Sequence, residues 1–148
     1  VKVAVGFDHG GYNLKEIICE VIKASGNEVV DKGAYRLDAD DDYPDFALKV
    51  AEEVSSCNVS KGIIVCGSGV GASIAANKIK GVRASVCHDL YSAQQGVEHD
   101  DMNVLCLGGR IIDEPNASML VKAFLSARFS GEDRHLRRLN KINEVDHQ

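Results

Sequence analysis

One stretch leaves this chain few folds to choose from. Residues 61 to 78 read Lys-Gly-Ile-Ile-Val-Cys-Gly-Ser-Gly-Val-Gly-Ala-Ser-Ile-Ala-Ala-Asn-Lys. The β-branched run Ile63-Ile64-Val65 predicts a buried strand, Gly67, Gly69 and Gly71 a tight loop, and the small residues beyond them a helix. Cys66 falls at the joint. Backbone N–H groups of such a loop and of a first helical turn have no partners within the helix, so they form an anion cradle. A thiol there is a candidate base or nucleophile, because the thiolate that the cradle favours is the reactive form. Read alone, Cys66 fits a small buried hydrophobe better.

The rest of the chain repeats the strand-then-helix unit. Val1 to Phe7 predicts a first strand ending in Asp8-His9-Gly10-Gly11, and Tyr12 to Ser25 an amphipathic helix stopped by Gly26. A second strand follows over Asn27 to Asp31. The acidic run Asp38 to Asp42 lacks the spacing of a calcium loop and reads as a solvated connection, and Pro44 opens a helix to about Ser56. Val82 to Cys87 is a fourth strand, Leu90 to Glu98 a helix, and Asn103 to Leu107 a fifth strand ending in Gly108-Gly109-Arg110. Glu114 to Ser130 and Glu132 to Val145 are two further helices, the second basic at its start. The expectation is one α/β domain over 1–148, a Rossmann-like doubly wound five-stranded parallel sheet with a C-terminal helix.

Polar groups fall on one edge of that sheet. Asp8, His9, Cys66, Ser68, His88 and Arg110 each follow a predicted strand, where open α/β sheets bind ligands. His99 is expected in the loop entering strand five, at the opposite edge, from which it reaches a neighbouring subunit's site more easily than its own.

Composition narrows the partners. Hydrophobic content of 45%, charged content of 26% and a net charge of −5 describe a globular protein without an extended basic face for nucleic acid. No apolar run reaches membrane-spanning length, and Val1-Lys2-Val3 reads as a strand rather than a leader. Five cysteines without C-x-x-C spacing predict free thiols in a reducing cytoplasm. Cys19, Cys57, Cys87 and Cys106 read as packing or surface residues, His135 as a support for the arginines or an exposed side chain, and His147 as part of a loose tail.

Two function classes compete. Gly67-x-Gly69-x-x-Ala72 fits the relaxed dinucleotide fingerprint, with Asp89 20 residues beyond Gly69, which suggests a nucleotide-binding module. Against it, the fingerprint follows the third strand rather than the first, and too little chain remains for a substrate domain. The other class is an enzyme of a small phosphorylated substrate.

Phe7-Asp8-His9-Gly10-Gly11, Asp42-Tyr43-Pro44, Val65 to Gly71, Ser73 to Lys78, Gly81-Val82-Arg83-Ala84, Asn103-Val104-Leu105 and Arg134-His135 together resemble the type B ribose-5-phosphate isomerase family, which includes the subunits of galactose-6-phosphate isomerase. The resemblance implies a metal-free, cofactor-free aldose–ketose isomerase of a sugar phosphate, a homodimer or dimer of dimers with sites shared between subunits. By the same resemblance Cys66 moves the proton between C1 and C2, Ser68 and the loop with Gly67, Gly69 and Gly71 hold the enediolate oxygen, and His99 opens the sugar ring. Asp8 and Arg110 match substrate contacts; His9, Arg134 and Arg138 match the phosphate site. Ala72 stands where some members carry a glutamate base, which places this chain with the cysteine type.

Departures gather around the sugar. Ser68 replaces the usual threonine, and Asp100 the usual asparagine, exchanging an amide donor for an acceptor-only carboxylate. Asp100 must turn away or accept from a substrate hydroxyl. Ribose 5-phosphate is the expected substrate, with a four- or six-carbon sugar phosphate as the alternative.

Overall fold

The computed structural model describes residues 1 to 146, so the expected loose tail at His147 lies outside the described residues. Five parallel strands, β1 (Lys2–Phe7), β2 (Glu28–Asp31), β3 (Lys61–Cys66), β4 (Ala84–Val86) and β5 (Val104–Gly108), form one sheet in the order β2-β1-β3-β5-β4. The expected doubly wound architecture is therefore present. The order departs from the flavodoxin arrangement only in the exchange of the last two strands. The chain winds from β1 outward to β2, then returns across β1 to β3. The loops after β1 and β3 thus leave the sheet side by side at the switch point, where a crevice opens.

Alternation along each strand divides the core. Val3, Val5, Phe7, Ile63, Val65, Leu105 and Leu107 face α1 (Lys15–Ala24), α4 (Leu90–Asp100) and α5 (Glu114–Ser126), with Ile18, Ile22, Leu120 and Phe124 filling the layer. Ala4, Ile64, Cys66, Val104 and Cys106 face α2 (Tyr43–Ser55) and α3 (Val70–Ala76). The second face is built from smaller residues because α2 lies almost on the sheet. A Cβ at Gly62 would come within 2.5 Å of Val50.

Boundaries shift where turns compete with periodicity. Residues Tyr12–Leu14 form a 3-10 turn before α1 begins. β4 keeps only three of the six residues expected. The helix expected to reach Ser130 stops at Ser126: Ala127 is extended, and the Ser130 amide instead donates to the Glu98 carbonyl at 2.9 Å. That bond ties the segment between α5 and α6 (Asp133–Val145) to α4.

Candidate active site

Three strand ends make one floor. The Asp8 amide donates to the Val65 carbonyl at 3.2 Å, the Gly109 amide to the Cys66 carbonyl at 2.8 Å, and the Arg110 amide to the Gly67 carbonyl at 3.1 Å. Bare backbone allows this approach: a Cβ at Gly11 would stand 2.2 Å from the Val65 oxygen, and one at Gly109 2.3 Å from the Gly10 oxygen. Gly69, with φ of 83°, begins α3 in a left-handed conformation that a side chain would strain.

Above the floor lies a cleft of about 390 Å³ lined by Asp8, Tyr43, Cys66, Gly67, Ser68, Gly71, Arg110 and Ile111. Cys66 is buried, and the Gly69 amide donates to its Sγ at 3.1 Å. The Val70 amide donates to Ser68 Oγ at 3.2 Å, so two amides of the expected cradle orient the site's own side chains. Asp8 is buried as well; its Oδ1 accepts from the Gly10 and Gly11 amides at 2.8 and 3.1 Å. Burial pushes its pKa above the usual carboxylate range, against the pull of those amides. Arg110 lies over Gly67, where a Cβ would meet Nη1 at 3.3 Å. His9, the next residue after Asp8, is partly exposed and bound to Asp41 at 2.7 Å.

Sequence reasoning left Tyr43 without a role, although its motif carried part of the resemblance. Its ring closes the cleft over Gly71, where a Cβ would come within 2.5 Å of it. The glycine opposite an aromatic was the available signal. His88 proves to be structural: its Nε2 accepts from the Gly108 amide at 2.9 Å, and burial keeps it neutral by lowering its pKa. Asp89, the acidic partner of the dinucleotide reading, caps α4 by accepting from the Ser92 amide at 2.7 Å.

A second group lies elsewhere. His99 belongs to the last turn of α4, not to the loop beyond it, and lines a separate pocket of about 520 Å³ with Arg128, Ser130, Arg134 and His135. The two pockets share no residue, and all of β5, roughly 16 Å of strand, intervenes between the His99 end and the Arg110 end. His135 is 3% exposed and stacks on His99 with ring centroids 4.0 Å apart. It accepts from Arg134 Nε at 3.2 Å, which leaves Nδ1–H to face Ser130 Oγ at 2.5 Å. Desolvation first, then His99 and Arg134, hold its pKa down, so it sits between two polar groups as a neutral ring. The Gln95 amide donates to His99 Nδ1 at 3.0 Å, leaving Nε2 as the protonated nitrogen. Arg138 follows Arg134 by one helical turn on the same face of α6. Asp100 joins neither group: it lines a third groove with Arg83, Met102, Lys141 and Ile142.

Among the described residues no helix is long and apolar enough to cross a membrane. A family model described as Ribose/Galactose Isomerase matches residues 3–142. The chain is 43% identical over 145 residues to ribose-5-phosphate isomerase B of Escherichia coli, covering 98% of this chain and 96% of the relative. The solved ribose-5-phosphate isomerase B of Clostridium thermocellum superposes with a TM-score of 0.94 at 46% identity, covering 99% of this chain and 98% of that one. The Mycoplasma genitalium ribose-5-phosphate isomerase B with bound ribulose-5-phosphate gives 0.94 at 41% identity, covering 99% and 97%.

Proposed function

Since the chain belongs to the ribose/galactose isomerase family, we propose that it interconverts ribose 5-phosphate and ribulose 5-phosphate, with Cys66 as the base. The observation that carries this reading is the sulfur itself: Cys66 Sγ lies at the end of β3, fixed by the Gly69 amide, in a cleft with Asp8, Ser68 and Arg110. Among the described residues no other cysteine lines that cleft; Cys87 and Cys106 are buried with their pKa values raised by desolvation. The relatives named ribose-5-phosphate isomerase B, one of them holding ribulose-5-phosphate, support the pentose.

In this mechanism the thiolate takes the C2 proton of the open-chain aldose. The charge that develops on the carbonyl oxygen is held at the Ser68 loop and by Arg110, as in an oxyanion site. The Cys66 thiol gives that proton back to C1 of the cis-enediolate while the C2 hydroxyl proton passes to O1, which leaves a carbonyl at C2 and yields the ketose, so one group serves both carbons. Asp8 orients a sugar hydroxyl. His99 opens the furanose by general acid–base transfer, a role suited to an imidazole. His9, Arg134 and Arg138 bind the phosphate, where guanidinium forks match a dianion.

His99, Arg134 and Arg138 stand far from Cys66 of the same chain, and this separation supports a homodimer, or a dimer of dimers, in which each cleft is completed by the neighbouring subunit. A single isomerase domain with five unpaired cysteines fits a cytoplasmic setting. The test is an aldose–ketose assay on four-, five- and six-carbon sugar phosphates. Turnover should be restricted to the pentose and fall by at least about a thousandfold in Cys66→Ala with the fold retained. Turnover retained in that variant would remove Cys66 from the mechanism.

A further inference from the structure

We propose that Asp41 is a positioning residue of this site, fixing the His9 imidazole through Nδ1–H so that Nε2 is the nitrogen left for the anionic end of the substrate. The inference rests on the sugar-phosphate reading above for the identity of that anion. Asp41 lies in the connection between β2 and α2, inside the acidic run that reads from sequence as solvated. Only part of the run is. Asp38 accepts from the Asp40 amide at Oδ1 (3.0 Å) and from the Asp41 amide at its carbonyl (3.2 Å), a turn that delivers Asp41 inward.

There Asp41 Oδ1 accepts from both the backbone N–H of His9, at 3.0 Å, and Nδ1 of its ring, at 2.7 Å. A carboxylate only accepts, so Nδ1 carries a hydrogen and the tautomer is fixed. The Asp41 side chain is 10% exposed, and its Oδ2 is buried with no hydrogen-bond partner among the described residues. A nearly buried anion that leans on one residue requires that residue's charge, because an uncompensated buried carboxylate is strongly unfavourable. The charged groups facing His9 are Asp41, Asp8 and Arg110. The Asp41 hydrogen bond raises the His9 pKa most, Asp8 adds to it, and burial and Arg110 oppose it.

The consequence falls on Nε2. In the imidazolium it is a donor, suited to a phosphate oxygen. In the neutral ring with Nδ1 protonated it is a lone pair, which repels the same oxygen. Asp41 therefore extends the pH range over which His9 can hold an anion.

The experiment follows the His9 ring by proton NMR titration in wild type, Asp41→Asn and Asp41→Glu, and measures binding of inorganic phosphate at about pH 6 and about pH 7.5. The His9 midpoint should drop in Asp41→Asn and recover in Asp41→Glu. Phosphate affinity in Asp41→Asn should match wild type at the lower pH and be weaker by about tenfold at the higher. An unchanged His9 midpoint in Asp41→Asn overturns the proposal, as does an equal loss of phosphate affinity at both pH values, the mark of a merely structural residue. A wild-type protein that binds no phosphate at either pH removes the anion role and counts against the sugar-phosphate reading, while the ring titration separately reports the Asp41 contact.

Discussion

His135 carries more of the second pocket than its place beside an arginine suggests. Its ring supports His99 from one side, and its Nε2 holds Arg134 by the Nε–H, so the groups proposed above for ring opening and phosphate binding share one buried support. His135→Phe keeps a flat ring under His99 and removes the acceptor for Arg134. We expect KM for the sugar phosphate to rise about tenfold with a smaller change in kcat, whereas His135→Ala, which also removes the stack, lowers both; steady-state kinetics on the two variants separates these effects. Residues that follow strands were partly legible in the sequence: the strand-end rule selected Asp8, His9, Cys66, Ser68, His88 and Arg110, and the cleft unites Asp8, Cys66, Ser68 and Arg110, while His9 binds Asp41 beside it and His88 holds the backbone. Tyr43 and Asp41 were not assigned a role. Asp41 arrives from an irregular connection with no period and Tyr43 from the first turn of α2 that follows it, and an acid run reads as solvated until a turn is seen to fold one member inward.

Among the elements, one lysine of β3 ties down the end of α5. Lys61, the first residue of β3, donates through Nζ to the carbonyls of Phe124, at 2.5 Å, and Ala127, at 3.2 Å, and lies 4.7 Å from the centre of the Phe124 ring. It thereby satisfies carbonyls that the end of α5 leaves free. Burial pulls its pKa down from 10.5 to about 8, with Asp101 opposing and Arg128 assisting. Between those two values the unfolded chain keeps a proton that the folded chain has released, so this group makes stability rise with pH. Lys61→Met should abolish that rise, about 1–2 kcal/mol once solvent screening is allowed for, as read from urea melts of both proteins between pH 8 and 10. Element type and order were legible because strand and helix periods alternate cleanly along the chain. Ends were not: the break at Ser126 depends on a bond from Ser130 to α4 that no local pattern encodes.

At the scale of the molecule, the two separated pockets make a prediction about mixtures. If each working cleft takes Cys66 from one chain and His99 from its neighbour, Cys66→Ala and His99→Asn chains are each defective alone on a cyclic substrate. Unfolding and refolding them together gives about half hybrids, each with one intact cleft, and should restore about a quarter of wild-type turnover. No recovery would mean that each site is complete within one chain. The arrangement also separates what sequence shows from what it withholds. The opposite-edge position of His99 could be read from strand order, but the stacking of His135 beneath it depends on where α6 returns to α4.

The glycine floor has a consequence for how this scaffold can diverge. Where Gly10, Gly11 and Gly109 press against backbone, there is no side chain to exchange and no room to add one. Selection for a longer or shorter substrate therefore has nothing to act on in the floor of the cleft. It must work from the rim, at Ser68 or Tyr43. Such a protein conserves its chemistry by leaving its most critical surface without anything to mutate into.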